Sequence, residues 1–216
     1  MHIKRTEIQK RLPLPRKGTK YLVVASHAKD NGVALLIVLR DILKIANNRA
    51  EARKILLAGD VKVNNKIRKS EKFPMQFFDV IELEKAKKVY RLEIVNKKFA
   101  LNEISEKEKD EKIVKIVGRK ILGKDKVQMN LEDGRNIITK EKFNVRDSVI
   151  VNTKDEKIVK ILELKPGAKV EIILGKHAGE SGVLKEIKNL RRGKDYIIKL
   201  KDKEIGVPLK TLIVIG

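Results

Sequence analysis

Two short runs of cations are spaced so that they could grip phosphate. Arg49 and Arg53 stand one turn apart in RAEARKILLAG, a segment of helical period, with Lys54 beside them; Lys62, Asn64, Lys66 and Arg68 follow closely. A guanidinium fork matches two phosphate oxygens at once, an ammonium supplies a point charge, and an amide side chain can reach sugar or base. The opening residues, MHIKRTEIQKRLPLPRKG, add Lys4, Arg5, Lys10, Arg11, Arg16 and Lys17, and a glycine-rich stretch near the end carries Lys176 and His177. Other chemistry finds no support. GRKILGKD, from Gly118 to Asp125, nearly spells a phosphate-binding P-loop, but Asp125 replaces the hydroxyl that would meet magnesium, and a strand-like KVQMNL follows where a helix is required. His2, His27 and His177 are scattered and the chain has no cysteine, so no ligand spacing for a metal exists. No catalytic residue, cofactor or metal is expected.

The elements that must hold these side chains follow from period and punctuation. Residues 1–32, rich in Lys, Arg, Pro and Gly without sustained period, predict an extended basic arm with little structure of its own. Leu36, Leu39, Leu43 and Ala46 recur at helical spacing and predict an amphipathic helix of roughly three turns. A second helix begins at Asn48, with Glu51 placed to return a capping bond. It buries Ala52, Ile55 and Leu56 and stops at Gly59. DVKVNNKIRK then reads as a hairpin turning at Asn64-Asn65, with Val61, Val63 and Ile67 on one side and Lys62 and Lys66 on the other; FDVIEL closes the unit. Phe73, Phe77 and Phe78 are expected in core positions. Residues 86–165 offer short strands, VYRLEIV to IVKILEL, and one helical turn at Ser105, as in a small barrel or curled sheet. Beyond the Pro166-Gly167 break, five further strands, AKVEIIL to TLIVI, have the lengths of an SH3-like barrel.

Composition names the partner class. Among 216 residues, 51 Lys and Arg face 29 Asp and Glu, a net charge of +22 spread along the whole chain. Charge everywhere suits a long polyanion, because each neutralised phosphate releases counterions. Five Phe, three Tyr and no Trp are too few to stack single-stranded bases, so a folded RNA or duplex read through phosphate and shape fits better. The longest apolar run, Val33 to Leu39, is far too short to span a bilayer, and the basic amino terminus leads into no apolar stretch; a cytoplasmic protein with no membrane is expected.

The R-A-E-A-R helix, the A-G-D-V-K-V-N run and the closing Asp79-Val80-Ile81 together resemble the S-four-type RNA-binding domain. That resemblance implies that the second helix and the turn after it meet RNA, which puts Arg49, Arg53, Lys54, Lys62, Asn64 and Lys66 at the contact face; Asn65 stands where the family commonly has Gly. GAKVEIILGKHAGESGVLKEI resembles the KOW motif, with Gly175, Gly179 and Gly182 allowing tight turning. Taken in order, the chain is similar to the S-four-e family of small-subunit ribosomal proteins of archaea and eukaryotes, nearer the archaeal type. The expectation is an α+β multidomain protein: arm 1–32, S-four-type domain 33–85, central β-rich barrel-like domain 86–165 and KOW SH3-like barrel 166–216. It implies a non-enzymatic constituent of the small subunit. Small-subunit ribosomal RNA and neighbouring ribosomal proteins would be the partners of a monomer within the ribosome. An RNA-modifying enzyme would need an acid, base or cofactor constellation, and residues 86–165 offer none.

Overall fold

The computed structural model describes residues 2–8, 10–29, 31–123, 126–190, 193–200 and 203–216. The fold is mostly β with few helices, in two compact units, Met1–Asp110 and Glu111–Gly216. No helix among the described residues is long and apolar enough to cross a membrane.

The first unit runs β1 (His2–Lys4), β2 (Tyr21–Val23), β3 (Gly32–Ala34), α1 (Leu35–Ile37), α2 (Arg49–Ala58), β4 (Val61–Val63), β5 (Lys66–Ile67), β6 (Pro74–Gln76), β7 (Val80–Leu83), β8 (Lys88–Val95) and β9 (Lys98–Glu103). Its main sheet is antiparallel in the order β5-β4-β7-β8-β9, beside two-stranded pairs β1-β2 and β3-β6. Val61, Val63, Ile81 and Leu92 are fully buried on the sheet, with Ala52 and Leu56 of α2 and Leu35, Leu36 and Leu39 of the first helical segment.

Three features differ from expectation. The amino-terminal residues are not an extended arm: β1 pairs with β2 in register Ile3↔Leu22, Leu22 and Ala25 are buried, and the Phe99 N–H donates to the Arg11 carbonyl. Apolar Ile3, Ile8, Leu12 and Leu22 supply the anchoring surface, which a reading of charge and proline passes over. The first helix is also shorter than three turns. After Ile37 it widens into a π turn, Val38–Ile42, and Lys44 at φ 55° ends it, so that Ala46 still reaches the core. Finally, β8 and β9 extend the sheet begun by β4 and β7, so the sheet continues past residue 85 through a turn at residues 84–87.

The second unit holds β10 (Glu111–Ile121), β11 (Val127–Leu131), β12 (Asn136–Thr139), β13 (Ser148–Asn152), β14 (Ile158–Leu162), β15 (Lys169–Ile172), β16 (Ser181–Leu190), β17 (Gly193–Lys199), β18 (Glu204–Pro208) and β19 (Leu212–Val214). They form two five-stranded antiparallel sheets, β12-β11-β10-β13-β14 and β18-β17-β16-β15-β19. Val114, Ile116, Met129, Phe143 and Val149 fill the first core; Val170, Ile172, Leu184, Tyr196, Ile198 and Leu212 fill the second. Lys115 joins them, its Nζ donating to the Leu209 and Leu212 carbonyls at 2.6 and 3.0 Å, and burial depresses its pKa. The near-P-loop segment starts in β10. Its Lys124 and Asp125 lie outside the described residues, and the predicted strand after it is β11.

One turn recurs three times. Phe78, Arg146 and Gly167, all at positive φ, donate to the carbonyls of Leu92, Ile116 and Leu184. Those three residues return their own N–H to the carbonyls of Asp79, Asp147 and Ala168. In two copies the buried aspartate ties the turn: Asp79 accepts from the Gln76 N–H at 2.6 Å and Asp147 from the Asn144 N–H at 3.0 Å. Each copy launches a strand, β7, β13 or β15.

Candidate nucleic-acid interface

Helix α2 is set by its ends. The Asn48 side chain accepts from the Glu51 N–H at 2.9 Å, and Glu51 returns the bond to the Asn47 N–H at 2.8 Å. Gly59 closes it at φ 83°. Ala52 and Leu56 are fully buried, Ile55 is half-buried, and Arg49, Arg53 and Lys54 are left exposed. Arg49 is not idle: its Nε donates to Glu71 Oε2 at 2.9 Å and its Nη2 to Oε1. The pairing raises the Arg49 pKa and, against an opposing effect of burial, lowers that of Glu71. Arg53 lies beside Lys69, Ser70 and Lys72 around an open concavity of about 230 Å³.

The hairpin turns where expected, with Asn64 at φ 49° and Asn65 at φ 62°, so asparagine supplies the left-handed pair without glycine. Its facing is not as expected. A two-residue turn pairs Val63 with Lys66 and Lys62 with Ile67, and direct partners share a face. Ile67 is therefore beside Lys62 and half exposed, and Lys66 is on the Val63 side. Lys62 is ion-paired to Glu84, which raises its pKa. The Asn64 amide is used inside the unit: Nδ2 donates to Asp79 Oδ1 at 2.7 Å and Oδ1 accepts from the Val80 N–H at 3.0 Å. Arg68 stacks its guanidinium 4.3 Å from the centre of the Phe73 ring, so Phe73 works as a platform as well as filler. Phe78 is buried and packs against half-buried Phe77.

The amino-terminal cations gather elsewhere in this unit. Lys4, Arg5, Lys10, Arg16 and Lys17 line one concavity of about 1110 Å³, together with Lys20 and Lys98. Arg11 sits outside it, over the Phe99 ring at 5.5 Å. Arg5 faces its own loop, donating to the Pro15 and Thr19 carbonyls at 2.6 and 2.7 Å and to Thr19 Oγ1 at 2.9 Å.

In the second unit, Gly175 and Gly179 turn the chain at φ 97° and 90°, leaving Lys176 exposed and His177 Nδ1 3.2 Å from Glu180. Gly182 serves differently. It lies in β16, where a Cβ would come within 2.5 Å of the Lys199 carbonyl. Among the described residues no three His, Asp or Glu side chains gather as metal ligands would. Sequence reasoning missed Lys69, Ser70 and Lys72, although the charge-dense RKSEK run signals them, and Lys20 and Lys98, of which Lys98 arrives through a strand pairing nothing local announces.

The family model described as S4 domain matches residues 35–81, from α1 through β7, and the one described as Ribosomal family S4e matches residues 86–158. The small ribosomal subunit protein eS4 of Caldivirga maquilingensis is 33% identical over 160 residues, 70% of this chain and 67% of that one. This chain belongs to the S4e family of ribosomal proteins. Other members agree. The eS4 proteins of Methanothermobacter thermautotrophicus and Archaeoglobus fulgidus are 38% and 34% identical over 152 and 154 residues, which span 68% and 70% of this chain. Those alignments span 63% and 65% of the two relatives, under two thirds of their length. The crystal structure of the 30S ribosomal protein S4e from Thermoplasma acidophilum superposes with a TM-score of 0.75 at 29% identity, covering 87% of this chain and 96% of that one.

Proposed function

We propose that this chain is a structural constituent of the small ribosomal subunit that binds ribosomal RNA and has no catalytic role. The observation that carries the reading is the capped α2 helix and Asn-Asn hairpin of an S4 domain, set in a chain of net charge +22. Cations placed on rigid elements hold RNA segments that otherwise repel one another, and the domains fix the orientation of those segments. Its partners are small-subunit ribosomal RNA and neighbouring ribosomal proteins, and it acts as a cytoplasmic monomer within the subunit. Arg53, Lys54, Lys66 and Lys69 are exposed cations of the S4 region, with half-buried Arg68 and Lys72 beside them. Arg49, Lys62 and Asn64 act by holding its shape until RNA competes for the two cations.

The division into a folded basic amino-terminal segment 1–32, S4 domain 33–85, central region 86–165 and C-terminal domain 166–216 belongs to this reading as a division of sequence modules, since β7 and β8 share one sheet across residue 85. The order β18-β17-β16-β15-β19 with a short helical turn before β19 supports an SH3-like KOW barrel there, and Lys176 and His177 are its candidate RNA contacts. The test is sedimentation of tagged protein from gently lysed cells. Migration with the small subunit at low salt, and release as salt rises, is the expected result. Migration with RNA polymerase, or as free protein at every salt concentration, contradicts it.

A further inference from the structure

The amino-terminal cations are held together although they repel one another. Lys4, Lys10, Arg16, Lys17, Lys20 and Lys98 line the 1110 Å³ concavity, none of them is in a salt bridge among the described residues, and no described carboxylate lines it. A flexible tail would spread such charges apart. Here the loop is closed by three devices: the β1-β2 pairing, the Arg5 N–H donating to the Lys20 carbonyl at 2.9 Å, and the Arg5 guanidinium clamped on Pro15 and Thr19. Gly18 completes the closure. Its φ is +140°, and a Cβ there would stand 2.9 Å from Arg5 Nη2. No described aromatic ring lines the concavity, so it offers nothing for a base to stack on; its apolar wall is Ile8, Leu12 and Leu14.

We infer that this loop is a preformed cup for a cluster of RNA phosphates, at a place where the RNA backbone turns sharply and several phosphates converge. The inference rests on the RNA-binding reading and deepens it. The volume is far larger than one phosphate needs, and a cluster of anions is what offsets the mutual repulsion of six cations. Arg5 and Gly18 are positioning residues: they hold the cup closed before RNA arrives, so its ordering cost is not met at binding.

The test uses the full chain, a small-subunit ribosomal RNA transcript and, separately, inorganic tripolyphosphate. Replacing Lys10, Arg16 and Lys17 together by Gln should lower the salt slope of transcript binding by roughly 2, at about 0.7–0.9 per phosphate. Arg5→Lys keeps the charge and removes the fork, and should weaken transcript binding roughly tenfold with the slope little changed; Gly18→Val should do the same with Arg5 intact. Tripolyphosphate should shift the amide resonances of Lys17, Gly18 and Thr19 in the wild type and not in the triple variant. Unchanged resonances of α2, β4 and β7, in the same unit but outside the loop, would show that each variant is folded. Transcript binding by Arg5→Lys and Gly18→Val equal to wild type would overturn the cup in favour of a flexible tail. Tripolyphosphate shifts with no loss of transcript affinity in the triple variant would assign the site to a free polyphosphate instead. Wild-type protein that binds the transcript without salt dependence would sink the RNA-binding reading itself, a separate outcome.

Discussion

The α2-hairpin region and the amino-terminal loop carry the same kinds of basic side chain in opposite states. In the first, Arg49 is held by Glu71 and Lys62 by Glu84, while the Asn64 amide is bound to Asp79. In the second, Lys4, Lys10, Arg16 and Lys17 face one another without an ion-pair partner among the described residues. The difference separates shape from charge. Paired cations must exchange a carboxylate for a phosphate, which limits the net gain but fixes where the side chain lies. Unpaired cations release counterions with nothing to exchange, so the loop should supply more of the affinity and the S4 region more of the geometry.

The largest effect should come from Asp79→Ala. Asp79 is 4% exposed and its carboxylate serves both Asn64 and the Gln76 N–H, so removing it orphans two groups at the base of the hairpin. A loss of about 3 kcal/mol is expected in urea unfolding. RNA affinity should fall while the salt slope changes little. Asn64→Ala breaks the same link from the other end and should cost about 2 kcal/mol, because the Asp79 carboxylate keeps its backbone donor while the Val80 N–H loses its acceptor and Ala is held at φ 49°. An RNA defect in Asn64→Ala with stability unchanged would instead make Asn64 a direct contact, and blur the division between the regions.

Charge removal sharpens the contrast at smaller amplitude. Replacing Lys10 and Lys17 by Gln should reduce the salt slope by about 1.4–1.8 if each meets a phosphate. Replacing Arg49 and Lys62 by Gln should reduce it by less, since both start paired, and equal reductions would erase the distinction. Glu71→Gln should leave stability near neutral pH almost unchanged, the Arg49 partner being exposed, and should raise RNA affinity modestly by freeing Arg49.

The smallest effect is pH dependence. Glu71 is held below the usual carboxylate range, chiefly by the Arg49 hydrogen bond. A depressed folded pKa adds stability that is present above the unfolded value and lost as pH falls through the folded one. The acid limb of wild-type unfolding should therefore be slightly steeper than that of Glu71→Gln, as melting in acidic buffers would show.

What could be read from the sequence followed local chemistry. Asn48, Glu51 and Gly59 marked α2, and Asn64-Asn65 marked the turn. The five C-terminal strands fell where alternation put them. Nothing local marks Phe78 or Arg146 as left-handed, because surrounding sheet bonds impose that conformation on residues that do not favour it. The facing of Ile67 was missed for want of register, which depends on turn length and not on apolar spacing alone. In the candidate sites, charge picked out the basic stretches that line the two concavities of the first unit. It could not reveal which cations are bound to carboxylates, because Glu71 is 22 residues from Arg49, or that Arg5 closes a loop.

Crosslinking of the protein to RNA in gently lysed native cells, with sequencing of the attached fragments and identification of the attached peptides, tests the central claim most directly. The account predicts fragments clustered on small-subunit ribosomal RNA, with peptides from residues 4–20 and 49–72 at the crosslinks. Fragments scattered over nascent messages, or confined to one position of a transfer RNA, would contradict it.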